Sequence, residues 1–157
     1  MKNTEQSLLW ITEILEGMNI PYKISGGFAA RAYGVNRELA DIDIEVNDND
    51  IALISDEVRQ YIVYGPDRYK DNNWDLNLMT LQYEGQEIDI AGIEAKIFNK
   101  EKEIWEKTGS DLDDYELIEV YGKKVPIEKL DALIAYKTKL SREVDIKDIK
   151  QLKLLKK

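Results

Sequence analysis

The sequence contains no cysteine and no histidine. The first absence excludes disulfides and thiolate metal sites. The second removes imidazole as general base, nucleophile or metal ligand, so acid–base or metal chemistry falls to carboxylates. Basic residues are scarce as well: 22 against 31 acidic ones, for a formal net charge of −9. That balance disfavours nucleic acid as a partner, because broad binding to phosphate backbones needs clustered Lys and Arg. It suits a small or cationic substrate better. No apolar run approaches membrane-spanning length, and the opening MKNTEQSLLWITEILEGM is too polar for a signal peptide. The expected location is the cytoplasm, with no membrane partner.

Apolar residues make up 43% and charged residues 34% of the 157, a balance that suits a folded globular chain. One domain over residues 1–157 is expected, with a core to about residue 127 and a helical tail from about 128 to 157. There is no internal repeat and no low-complexity linker.

Leu8, Leu9, Ile11, Ile14 and Leu15 recur at helical spacing, which predicts a helix over 5–18 with Thr4 as N-cap and Gly17 as stop. A short strand follows at Tyr22–Ser25. FAARAYG reads as a short helix ending near Gly34, and 35–40 as a polar loop. Asp41 to Val46 alternates strictly, Ile42, Ile44 and Val46 on one face and Asp41, Asp43 and Glu45 on the other. NDND at 47–50 is a turn, and a second amphipathic helix runs over 51–61. GPDRYKDNNW, 65–74, reads as a loop. A hairpin of 76–83 and 87–92 turns at 84–86, and another over 115–127 turns at Gly122. Between them lies an irregular charged segment anchored by Ile97, Phe98, Ile104 and Trp105. Two helices, 128–140 and 143–155, end the chain. The fold class is α+β: a mixed β-sheet flanked by helices, with C-terminal helices.

Strand residues two apart point the same way, with Cα atoms about 7 Å apart. Asp41 and Asp43 therefore share a face, a costly arrangement unless a cation neutralises it. Mg²⁺ is the natural partner, bound through one or two carboxylates plus substrate phosphates. EIDIAG repeats the device, with Asp89 between Ile88 and Ile90 and Glu87 as the competing acid on the same face. If that strand lies beside 41–46, the acids could hold two ions about 3.5–4 Å apart. Ser25-Gly26-Gly27 adds a hydroxyl donor and two residues without a Cβ to obstruct a phosphate. The helix after them would present free N–H groups to a triphosphate.

A strand, Gly26-Gly27, thirteen intervening residues, Asp41-Ile42-Asp43-Ile44 and a later Ile88-Asp89-Ile90 resemble the DNA polymerase β-like nucleotidyltransferase superfamily. The C-terminal helices look like those of its smaller members, the abortive-infection toxin and antibiotic adenylyltransferase types. The resemblance implies Mg²⁺-dependent transfer of a nucleoside monophosphate from an NTP such as ATP to a hydroxyl-type acceptor, with two Mg²⁺ ions and Mn²⁺ as an alternative. It further implies that Asp41 and Asp43 ligate both metals. Asp89 would ligate the catalytic one and accept the acceptor's proton. Ser25, Gly26 and Gly27 would hold the β- and γ-phosphates. The expected acceptor is a small molecule, with a protein or tRNA as the alternative. A chain this short could complete its acceptor site with a second subunit, as a homodimer, or with a partner protein. The alternative is a catalytically silent nucleotide-binding or antitoxin-like protein of the same fold.

Other polar residues have plainer readings. Glu45 reads as a solvated strand end, Arg31 and Arg37 as surface residues within reach of a phosphate, and Tyr33 as packing. Lys137, Lys139, Arg142, Asp145 and Asp148 read as solvated helix neighbours. Lys137 is the best of them for contacting nucleotide phosphate, because it follows Leu130, Leu133 and Ile134. Arg68, Tyr69, Lys70 and Trp74 could form a lid, an acceptor rim or a simple connection.

Overall fold

The computed structural model describes residues 2–156; Met1 and Lys157, the two ends of the expected domain, lie outside the described residues. Its centre is a pair of short strands whose alternation sorts isoleucine from acid. β1 (Tyr22–Ser25) and β2 (Asp41–Val46) run antiparallel, Ser25 opposite Asp43 and Lys23 opposite Glu45. On the other edge of β2, β5 (Gln86–Gly92) runs parallel, Asp43 opposite Asp89 and Ile44 opposite Ile90. β4 (Trp74–Tyr83) is antiparallel to β5 and sets Thr80 opposite Asp89.

The sheet extends from that centre in both directions. β9 (Lys123–Glu128) lies parallel to β1, and β8 (Tyr115–Val120) forms its outer hairpin partner. At the far side β6 (Lys96–Asn99) pairs with the start of β4, and β7 (Ile104–Lys107) with β6. The order is β7-β6-β4-β5-β2-β1-β9-β8, with β3 (Ile62–Lys70) paired to β4. This is the mixed α+β sheet that the alternation predicts.

Ile24, Ile42, Ile44, Ile88, Ile90 and Ile127 are fully buried in one cluster with Leu8, Ile11 and Leu15 of α1 (Thr4–Gly17) and Ile54 of α3 (Ile51–Glu57). Each such side chain stabilises the fold by about 1.5–3 kcal/mol. The opposite face of the same strands carries Lys23, Ser25, Asp41, Asp43, Glu45 and Asp89. Residues of α4 (Leu130–Leu140) line the cleft over that face, and α5 (Glu143–Leu155) packs on α4. Among the described residues, no helix is long and apolar enough to cross a membrane.

Several boundaries differ from expectation. Asn3, not Thr4, caps α1: its Oδ1 accepts from the Gln6 N–H at 3.0 Å, while the Thr4 hydroxyl donates to Gln86 at 2.6 Å. α2 (Gly26–Ala32) includes both glycines rather than following them. α3 stops at Glu57 and gives way to a 3₁₀ turn over Arg59–Tyr61. Most of the expected loop 65–74 is strand. β3 reaches Lys70, and the Asp71 carboxylate then turns the chain by accepting the N–H groups of Asn73 (2.7 Å) and Trp74 (2.8 Å). The register shifts around Gly65-Pro66, where proline has no N–H to give the ladder. The irregular charged segment is also a hairpin, β6 and β7, whose turn is held by Asn99 Oδ1 accepting from the Lys102 N–H at 3.1 Å.

Ile44→Ala is expected to cost about 2–5 kcal/mol. Leu117→Ala on the outer strand β8, where Leu117 is 57% exposed, should cost less than about 0.5 kcal/mol. Urea midpoints of the two variants check this, and similar midpoints would contradict the placement of the core.

Candidate active site

The parallel register of β2 and β5 brings three carboxylates together. Asp41, Asp43 and Asp89 each offer an oxygen, and these atoms lie within 4.8 Å of one another. Asp89 is oriented by the Thr80 hydroxyl, which donates to Oδ1 at 2.6 Å. Glu87, the competing acid, sits opposite Asp41, is exposed and stays outside the cluster.

The glycine pair makes room for side chains of this same chain. Gly26 has φ of +62°, in the left-handed region that favours glycine. A Cβ there would collide with the Asp43 carboxylate, so that acid can rest against the start of α2 only because residue 26 has no side chain. A Cβ on Gly27 would come within 3.0 Å of the Arg37 guanidinium carbon. Ser25 precedes the helix in extended conformation, and its side chain caps no helix N–H.

These residues line a cleft of about 730 Å³. One wall holds Gly26, Gly27 and the acids. The other is partly aromatic, with Tyr64 and Tyr69 of β3 and Trp74 of β4. The segment with open readings thus forms strands on the rim of the cleft. Tyr69 and Trp74 face the cleft, Arg68 pairs with Asp75 at 2.8 Å, and Lys70 lies 5.1 Å from the centre of the Trp105 ring. The Trp74 indole N–H donates to the Tyr136 hydroxyl at 2.6 Å, closing the wall against α4.

Burial holds Asp43 well above the usual carboxylate range, and the charges of Asp41 and Asp89 push it further; Lys137 opposes them. Asp89 is pushed up to about 7, first by burial and then by Asp41 and Glu87, against the Thr80 hydrogen bond. Near neutral pH the cluster thus retains protons that a cation could replace.

The residues of α4 and α5 that read as solvated neighbours form a buried ion network instead. Lys137 is 2% exposed, Asp145 0% and Asp148 2%. Lys137 Nζ lies 3.0 Å from Asp148 Oδ2 and 3.7 Å from Asp145 Oδ1. Arg37 Nη1 donates to the same Asp148 oxygen at 2.6 Å. Arg142 donates to both Asp145 oxygens, at 2.6 and 3.0 Å, with its guanidinium over the Trp74 ring. Lys137, Arg37 and Arg142 all line the cleft. Arg31 is exposed, and Lys139 pairs with Glu106 at 3.0 Å. A signal for the network was present in the sequence. Leu133, Lys137 and Leu140 share the buried face of α4, and Asp145, Asp148 and Leu152 share that of α5. Opposite charges occupied matching inward positions at helical spacing.

Glu45 is not a solvated strand end. It accepts a hydrogen bond from the Ser110 hydroxyl and lies 3.9 Å from buried Lys23. Lys23 donates to the Asp111 carbonyl at 3.0 Å. Glu128 is buried nearby and pushed up to about 8 by burial and then by Glu45. Tyr33 packs as expected, its hydroxyl donating to the Glu128 carbonyl at 2.7 Å.

No protein-family profile and no curated protein matches the sequence. Solved structures do match. A Thermotoga maritima protein described as a candidate nucleotidyltransferase aligns with TM-score 0.70 and 19% identity, over 96% of this chain and 94% of that one. The lincosamide antibiotic adenylyltransferase LnuA, with lincomycin bound, aligns at TM-score 0.67 and 21% identity over 99% of both chains. This chain has the nucleotidyltransferase fold. ANT(2'')-Ia in complex with adenylyl-2''-tobramycin shares that fold at TM-score 0.61 and 15% identity, over 98% of this chain and 95% of that one.

A carboxyl whose folded pKa is raised binds more protons in the native state than in the unfolded one. Stability therefore falls as pH rises from the ordinary value of 3.8 towards about 7, and the loss is complete above that. Asp89→Asn, which keeps an acceptor for Thr80, should stabilise the metal-free protein more at pH 8 than at pH 5. The difference should be about 1–2 kcal/mol, allowing for screening at a half-buried site. Equal effects in urea melts at the two pH values would contradict the burial and coupling described for Asp89.

Proposed function

We propose that this protein is a nucleotidyltransferase that moves a nucleoside monophosphate from an NTP to a hydroxyl of a small-molecule acceptor. The observation that carries this reading is the convergence of Asp41, Asp43 and Asp89 within 4.8 Å on one wall of the cleft. Three like charges that close are costly for a stable fold, and the donor set fits a divalent cation. All ligands are carboxylate oxygens, which suit Mg²⁺ or Mn²⁺, and the chain has no histidine or cysteine to select a softer metal. Asp41 and Asp43 would hold two ions and Asp89 would share one. When bound, the metal pair supplies charge neutralisation at the attacking and leaving oxygens.

The chain's own residues do the remaining work. The acceptor oxygen attacks the α-phosphorus, a new P–O bond forms, and the bond to pyrophosphate breaks. Asp89 would take the proton the acceptor loses, with the Thr80 hydroxyl holding its Oδ1 in place. Ser25, Gly26 and Gly27 would border the β- and γ-phosphates, with Lys137 contributing charge from α4. A cleft of about 730 Å³ has room for a nucleotide beside a small acceptor. LnuA and ANT(2'')-Ia were solved with lincomycin and with adenylyl-2''-tobramycin, which makes hydroxyl-bearing antibiotics sensible first acceptors. The net charge of −9 also favours a neutral or cationic acceptor over tRNA.

Pyrophosphate release should appear with one of the four NTPs, Mg²⁺ and an acceptor from a panel that includes lincomycin and tobramycin. Asp89→Asn should lower the rate about 10²–10⁴-fold, and Asp41→Asn should remove the Mg²⁺ dependence together with the activity. Transfer that survives Asp41→Asn would refute the metal assignment. NTP binding without pyrophosphate release across the panel would favour a silent nucleotide-binding protein.

A further inference from the structure

We infer that Asp148 is a positioning residue of the nucleotide site: from α5 it holds Arg37 and Lys137 where they meet the phosphates and keeps Lys137 off the aspartate cluster. The inference rests on the nucleotide-binding reading above.

Asp148 has one oxygen shared between two cations, Arg37 Nη1 at 2.6 Å and Lys137 Nζ at 3.0 Å. It reaches them from a position at which a helix packing on α4 would ordinarily carry an apolar residue. Its neighbour on the same face, Leu152, is fully buried. Buried ion pairs are poor stabilisers, and hydrophobic replacements of similar volume are often neutral or better. Asp148 is needed to pair the two cations, but stability alone gives little reason for the whole buried network in place of apolar residues.

The location of the two cations gives a better one. Arg37 fills the space where a side chain on Gly27 would stand, and Lys137 borders the same cleft as Asp43. Both line the cleft that holds the aspartates. A triphosphate entering the cleft would meet a guanidinium and an ammonium already oriented, at little further entropic cost.

Asp148 also settles a competition. Three carboxylates that converge are a strong lure for any unrestrained cation, and Lys137 is the nearest ammonium on α4. Without Asp148, Lys137 would be drawn to the oxygens that a metal would use. Asp145, at 3.7 Å from Lys137, is already committed to Arg142 through two hydrogen bonds and is the weaker restraint. One carboxylate therefore keeps the phosphate-binding and metal-binding charges apart.

The test compares NTP with NMP binding. Each of the four NTPs is titrated into the wild type with Mg²⁺ by calorimetry, and the tightest is paired with its own monophosphate. Asp148→Asn should weaken NTP binding about tenfold or more while changing NMP binding less than about twofold, because only the β- and γ-phosphates reach the displaced cations. Asp148→Glu should recover part of the loss. Asp148→Leu, which leaves buried Lys137 and Arg37 without their shared acceptor, should melt lower than the wild type and show the same NTP defect; NMP binding that persists well below its melting temperature separates positioning from folding. If the wild type binds no NTP with Mg²⁺, the nucleotide-site reading falls and this inference with it. If the wild type binds and Asp148→Asn and Asp148→Leu bind equally well, Asp148 is structural only and the nucleotide site stands.

Discussion

The parallel pairing of β2 with β5 is the constraint from which the rest of the site follows. Its register sets Asp43 beside Asp89 and, on the reverse face, Ile42 beside Ile88 and Ile44 beside Ile90. A slip of one residue would turn every isoleucine out of the core and every acid into it, so the apolar face enforces the register that the acidic face uses. The cost of gathering carboxylates is thus offset by the six isoleucines behind them. Gly26 yields its Cβ position to Asp43, and Thr80 across β4 orients Asp89. These are separate concessions to one arrangement fixed by strand pairing.

That arrangement divides the cleft by charge. On one side the aspartates converge, and burial with their mutual repulsion makes Asp43 and Asp89 hold protons above the usual carboxylate range. On the other, Arg37, Lys137 and Arg142 share two buried aspartates, which leaves an excess of positive charge. A ligand that carries phosphates and brings divalent cations is complementary to both sides. A plain anion would match only the second, and a plain cation only the first. The chain's net negative charge is therefore compatible with a polyanionic nucleotide, because Arg37, Lys137 and Arg142 line the cleft.

The strands that make the acid cluster were legible because they alternate. β1 and β2 fall at the expected residues, and Asp89 lies on the neighbouring strand that the repeated Ile-Asp-Ile pattern suggested. β3 was not legible. Both its faces are largely wet, so no period-two signal survives, and Gly65-Pro66 reads as a turn when it marks a register shift in an outer strand. β6 and β7, four residues each, are too short to show alternation among their charges. In α5 the hydropathy pattern misled. Ile146, Leu154 and Leu155 are exposed while Asp145 and Asp148 are buried, because the face of α4 they meet presents a lysine. Charge complementarity between two helices cannot be seen by reading either helix alone.

The C-terminal helices therefore belong to the cleft as much as the sheet does. Tyr136 and Lys137 of α4 line it, and Arg142 at the α4–α5 junction closes over Trp74. Their contribution differs in kind from that of the strands. Strand pairing fixes the aspartates through the backbone, where each position is held by ladder hydrogen bonds. The cations sit at the ends of long side chains and would wander by several rotamers if nothing held them. Only a buried partner of opposite charge can give a lysine or arginine the definition that a strand gives an aspartate. The acids on the inner face of α5 fill that need, and their burial follows from it.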